Sequence, residues 1–201
     1  MEETEEQLRA MCDLCDEDLC RIDNCKATKR RIELLSVRAL LKAAGINQTI
    51  HYNDRKPYLD CGYISISHSA DIAAIIYNPD FPVGIDIEKI SPRIQRIATR
   101  AFSEEEIAAT NGDLEKLTIL WNCKECVFKL ANDEGIDFRK MIKVNLPTHL
   151  SLTEQNQNGE HNLPVIECTL NKYNITTRFT LSAIKIDDNT TVFGKQTDKQ
   201  L

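Results

Sequence analysis

The chain has 201 residues, 42% of them hydrophobic, with a formal net charge of −6. That length allows one large domain or two small ones with a proper core, and the acidic balance makes the protein no evident nucleic-acid binder. The N-terminus is acidic rather than apolar, so no secretory leader is visible, and no apolar run approaches the ~18 residues of a membrane span.

Residues 4 to 22 predict one amphipathic helix, because Leu8, Met11, Cys12, Cys15, Leu19 and Ile22 recur at helical spacing. Four of the eight cysteines fall between Cys12 and Cys25, spaced C-x2-C-x4-C-x4-C. That spacing fits no common structural zinc pattern. With no secretory context the cysteines are expected as reduced thiols of a cytoplasmic protein, packing as small hydrophobes. An acid-rich stretch up to Asp18 gives way to a basic one from Arg21 to Lys42. The basic stretch could serve an anionic ligand or simply be a solvated helix face. A second helix is expected over 27–44, with Ile32, Leu35, Ala39 and Leu40 inward and Gly45 as its stop.

Tyr63 to Ser67, Ile72 to Tyr77 and Val83 to Glu88 predict strands, with Asn78-Pro79-Asp80 as a turn. Ser91-Pro92 should open a helix, Ser as N-cap and Pro at N1. Ser103 with Glu106 three residues on predicts a capping box. Residues 114 to 131 form the longest helical candidate. Beyond Gly135 the chain turns β-rich, over 141–146, 165–170, 178–186 and 191–193. Ser151 to Asn162 predicts a polar loop. This order of elements predicts an α+β fold with a mainly antiparallel sheet.

The most informative stretch is Val83-Gly84-Ile85-Asp86-Ile87-Glu88, read with Trp121-Asn122-Cys123-Lys124-Glu125-Cys126-Val127-Phe128-Lys129. On a strand, the i, i+2 spacing places Asp86 and Glu88 on one face and Ile85 and Ile87 on the other. On a helix, Glu125 and Lys129 share a face at i, i+4. Two strand acids and one helix acid suit Mg²⁺, a hard cation that takes oxygen ligands and shares itself with substrate phosphates. The lysine would answer those phosphates. The bland reading of Glu125 and Lys129 is an ordinary helix ion pair of about 0.3–0.5 kcal/mol. Trp121 is expected to anchor its helix in the core.

These motifs resemble, in order, those of the 4′-phosphopantetheinyl transferases of the surfactin-synthetase-activating (Sfp) type. The ordered set is Lys56-Pro57, Ile66-Ser67-His68-Ser69, Val83 to Glu88, Phe102-Ser103-Glu104-Glu105-Glu106 and Trp121 to Lys129. The resemblance implies transfer of phosphopantetheine from coenzyme A to a serine of an apo acyl- or peptidyl-carrier protein, releasing 3′,5′-ADP. It implies a monomeric pseudo-dimer of two similar α+β halves, residues 1–80 and 81–201, joined near Tyr77 to Pro82 with the cofactor between them. It assigns Asp86, Glu88 and Glu125 to Mg²⁺, and Glu125 and Lys129 to catalysis. Lys56, Ser67, His68, Arg21 and Lys129 are assigned to coenzyme A. For Arg21, the rivals are Lys26, Lys29 and Arg38. Arg55 stands where the family's motif has glycine before Lys56. Glu106 matches a motif acid, but its capping box explains it equally well.

Two other readings use the same residues. An Mg²⁺-dependent nuclease also needs carboxylates and a lysine, but the net charge and the Ser67-His68 and Phe102-Ser103 motifs count against it. A degenerate transferase would bind coenzyme A or a carrier without turnover. Retention of all three acids and Lys129 counts against that.

Overall fold

A computed structural model describes residues 2–150, 152 and 163–200. Apart from Leu152, the polar loop expected over Ser151 to Asn162 lies outside the described residues.

The single helix expected over residues 4 to 22 is two helices, α1 (Glu5–Met11) and α2 (Asp16–Asp23). Thr4 and Gln7 close a capping box on α1. The chain then extends through Cys12 (φ −104°, ψ 151°) to Cys15 (φ −83°, ψ 172°). The break puts Asp16, Glu17 and Asp18 in the first turn of α2, where unpaired N–H groups and the helix dipole favour acids. Periodicity alone misses it, because Leu8 of α1 and Ile22 of α2 still pack into one cluster with Leu34 and Leu35. Those two leucines belong to α3 (Thr28–Ala43), which stops before Gly45 at φ +70°.

A short hairpin follows, β1 (His51–Asn53) with β2 (Lys56–Tyr58). Its three-residue strands show no alternation a sequence reading could find. The next hairpin, β3 (Tyr63–Ser69) with β4 (Ile72–Asn78), is longer. Val37 and Leu41 of α3 share a core with Ile64, Ile66, Ile75 and Tyr77 of this hairpin.

The second half starts with β5 (Val83–Lys89). The helix expected at Ser91-Pro92 begins instead as a 3₁₀ turn, Pro92–Ile94, and Ser91 makes no side-chain cap bond. Helices α4 (Gln95–Ala101), α5 (Glu104–Thr110) and α6 (Leu114–Ala131) follow. The one-turn α7 (Phe138–Met141), capped by Asp137, was not anticipated. Strands β6 (Ile142–Asn145), β7 (Val165–Lys172), β8 (Ile175–Ile186) and β9 (Asn189–Gln200) complete an antiparallel sheet in the order β5-β9-β8-β7-β6. β9 runs well past the expected Thr191 to Phe193, because its backbone goes on pairing with β8 as far as Thr176↔Gln200.

The fold is thus α+β with antiparallel sheets. The larger core lies between α6 and the five-stranded sheet, where Leu120, Cys123 and Val127 meet Ile166, Phe179 and Val192. No described helix is long and apolar enough to cross a membrane.

Candidate functional site

Strand β5 is an edge of the five-stranded sheet and lies against α6. Its even-numbered residues face the helix in reverse order. A Cβ on Gly84 would stand 2.8 Å from Leu130 Cγ and 2.9 Å from the Cys126 carbonyl oxygen. Glycine is therefore what lets the strand approach the helix this closely. Asp86 comes next and meets Lys129, whose Nζ donates to Asp86 Oδ1 at 2.8 Å and to the Ile85 carbonyl at 2.8 Å. Glu88 follows, with the Trp121 side chain favouring its charged form. Glu125, on the same helix face, feels the charges of Asp86, Glu88 and Lys129.

The ordinary Glu125–Lys129 helix pair of the bland reading is not formed; Lys129 makes a longer-range pair instead. The Lys129 ammonium crosses to the strand, 2.8 Å from Asp86 Oδ1, and also reaches the Ile66 carbonyl of β3 at 3.4 Å. It thereby touches β3 as well as β5.

Three carboxylates with one nearby ammonium leave a local excess of negative charge. Burial, then the Asp86 charge, push the Glu125 carboxyl up from 4.5 to about 7. Burial also raises Asp86, against the pull of Lys129 and Ser67, and raises Glu88, aided by Asp86. Asp86 Oδ1 has two donors, whereas its buried Oδ2 has none. Among the described residues no three His, Cys, Asp or Glu side chains already stand in metal-ligand geometry. The cation beside Asp86 is the Lys129 ammonium. The donor types, carboxylate oxygens with one buried oxygen lacking a partner, are those a hard divalent ion takes, although no described group of three is arranged to hold one.

A pH dependence follows. Glu125 has a folded pKa above its unfolded one, so it costs nothing below about 4.5, and stability is lost as pH rises through about 7. In EDTA, the melting temperature should therefore fall between about pH 5 and about pH 8. Glu125→Gln should flatten that slope, and added Mg²⁺ should raise the melting point more at the higher pH. An unchanged slope in the variant would contradict this electrostatic account.

The other expected site residues are placed unequally. His68 is half-buried on β3; burial holds its imidazole below the usual value, while the Glu33 backbone bonds to it. Its Nε2 is buried without a partner, and Lys129 and Arg30 are among the charges acting on it. Arg30 was not singled out in the sequence. Ser67 is committed elsewhere: its hydroxyl donates to Asp86 Oδ1 at 2.9 Å and accepts from the Ile87 N–H at 3.2 Å. Arg21 lies in the N-terminal helical layer with its guanidinium stacked 3.7 Å from the Tyr52 ring centre. Lys56 is exposed on β2 beside Arg55. Neither Arg21 nor Lys56 is among the principal charges acting on the three acids, which are one another, Lys129 and Arg93.

Other residues of the same motifs support the site. Trp121 is half-buried and packs against the main core, with its ring 5.6 Å from Phe138, and its side chain also favours the charged form of Glu88. Asn122 is buried and donates to the Thr190 carbonyl of β9 at 2.6 Å, pinning α6 to the sheet. Lys124 is fully buried. Its ammonium meets Glu106 Oε2 at 2.8 Å and the carbonyls of Phe138 and Ile142 at 2.7 Å each. Glu106 closes the expected capping box with Ser103 and accepts from the Val144 N–H at 2.9 Å. The motif around Ser103 is thus tied to the motif around Glu125 through one buried ion pair.

Residues 82–178 match the family model of the 4′-phosphopantetheinyl transferase superfamily. The match covers β5, α6 and all three acids. It does not reach Arg21, Lys56, Ser67 or His68. No curated protein matches the chain.

Proposed function

We propose that the protein is a phosphopantetheinyl transferase of the Sfp type, moving 4′-phosphopantetheine from coenzyme A to a serine of an apo acyl- or peptidyl-carrier protein. The observation that carries this reading is the Lys129–Asp86 contact between α6 and β5, with the Asp86 charge acting on both Glu88 and Glu125. The superfamily match over residues 82–178 supports it. Each half also packs a long helix, α3 or α6, on antiparallel strands, in keeping with a pseudo-dimer whose cleft holds the cofactor.

In this reading Asp86, Glu88 and Glu125 would hold Mg²⁺, which would supply charge neutralisation for the diphosphate of coenzyme A. Lys129 turns from Asp86 to a phosphate oxygen, near His68. Lys56 and Arg21 serve more distant parts of the cofactor. Glu125 takes the proton of the carrier serine, directly or through water. The serine oxygen bonds to the phosphorus that carries the pantetheine, and the bond from that phosphorus to the bridging oxygen breaks. 3′,5′-ADP leaves with the electron pair. Little covalent chemistry falls to the protein, so positioning and charge neutralisation dominate.

The test is incubation with coenzyme A, Mg²⁺ and a panel of fatty-acid, polyketide and peptide apo-carriers, read by intact mass. One phosphopantetheine added to at least one carrier is expected, and none on any carrier overturns the reading. Lys129→Ala should lower both coenzyme A affinity and rate. Glu125→Gln should cut the rate by about 100-fold and coenzyme A affinity far less, because the other phosphate contacts remain. Near-normal turnover of the Glu125 variant would remove that residue from the reaction.

A further inference from the structure

Strand β3 meets β5 through its side chains. Ser65, Ser67 and Ser69 are all buried. Their hydroxyls accept from the backbone N–H groups of Ile85 at 3.2 Å, Ile87 at 3.2 Å and Lys89 at 2.8 Å. The period of two on β3 matches the period of two on β5. The three serines satisfy N–H groups that β5, as an edge strand, would otherwise leave open. His68 lies between two of them in sequence, so its side chain leaves the opposite face of β3. Ser67 and His68 therefore do not address the same ligand with their side chains.

One rung differs from the other two. Ser67 is the one that also donates its hydroxyl proton to Asp86, at Oδ1. The N–H of Ile87 fixes the hydroxyl oxygen, so its proton has a defined target. The Lys129 ammonium shares Oδ1, and Oδ2 is left buried with no donor. If Lys129 turns to a phosphate, Ser67 is the donor that stays.

We propose that Ser67 is a positioning residue, not a cofactor contact: it orients Asp86 by holding Oδ1 and so presents Oδ2 as the free ligand atom for the divalent ion. This rests on the metal reading above but not on transfer itself. Partners that hold a ligating carboxylate in this way typically cost 10- to 100-fold in metal affinity when removed.

The ladder supplies its own controls. Ser65→Ala and Ser69→Ala each remove one hydroxyl acceptor from a β5 N–H, as Ser67→Ala does, without removing the donor to Asp86. Mn²⁺ would be titrated against each protein alone, with free ion read by electron paramagnetic resonance. Coenzyme A binding would be measured separately in EDTA. Ser67→Ala should weaken Mn²⁺ binding by about 10- to 100-fold, while both controls stay within about twofold. Coenzyme A affinity in EDTA should be unchanged in all three. Should Ser67→Ala fail to fold, Ser67→Thr keeps the hydroxyl and should retain wild-type Mn²⁺ affinity; a tenfold loss there overturns the proposal. It is also overturned if Ser67→Ala binds Mn²⁺ like its neighbours, or if its loss falls on coenzyme A. A wild-type protein that binds Mn²⁺ but modifies no carrier defeats the transferase reading alone.

Discussion

Asp86→Asn is expected to lower transfer by about 10³-fold or more in a protein that stays folded. The amide is nearly the same size, and its oxygen still accepts from Ser67 and Lys129. What disappears is the anion. The fold gains little from that anion in the absence of a metal ion, since burial holds the Asp86 carboxyl above its usual range even with Lys129 beside it. The far-UV spectrum and the denaturation midpoint should therefore hold, while the Mg²⁺-dependent rise in melting temperature vanishes. Asp86→Ala should abolish transfer too, but it also strips Lys129 of its partner. Full activity of the Asn variant, or wild-type activity indifferent to EDTA, would falsify the metal assignment.

Lys124→Ala is expected to have the largest effect on stability, about 3–5 kcal/mol. Its ammonium has three oxygen partners in a site closed to solvent. Burial pulls its pKa down, while Glu106 supports the charged form. Removing the lysine leaves the Glu106 carboxylate buried and uncompensated and frees the carbonyls of Phe138 and Ile142. Replacing both partners by neutral groups, as in Glu106→Gln with Lys124→Met, should recover much of the loss, because no lone charge stays behind. Chemical denaturation of the single and double variants measures this. A double variant no more stable than Lys124→Ala would show that the ion pair is not the source of the cost.

The sequence was legible where a local pattern and a local cause coincide. The alternation of β5, the capping box at Ser103 and the unbroken apolar stripe of α6 each lie within one element, and the structure has them where expected. It was opaque where the cause lies far along the chain. The gap between α1 and α2 is hidden because both pieces keep one face on α3. The β1–β2 hairpin is too short to show a period. Lys129 looks like a helix partner of Glu125 at i, i+4, yet it bonds to Asp86 because α6 runs antiparallel against β5. Lys124 looks like a surface charge beside a site acid, but its partner Glu106 sits on another helix. Ser67 looks like part of a ligand motif with His68, although alternation sends the two side chains apart.

The pairing of β5 has a consequence for the order in which the molecule can assemble. Apart from the serine hydroxyls, β5 takes its ladder bonds from β9 alone, with Asp86 opposite Val192 and Gly84 opposite Gly194. A chain emerging from the ribosome makes Asp86 and Glu88 early, then α4 through β8, before the strand that holds them exists. Domains fold as units during synthesis, and contacts this far apart form slowly. The N-terminal helices with the β3–β4 hairpin can settle first, their serines already spaced to receive β5. A nascent fragment ending at residue 178 would contain all three acids and still lack β9. The charge cluster that would suit a cation is thus among the last parts of the protein to be drawn together.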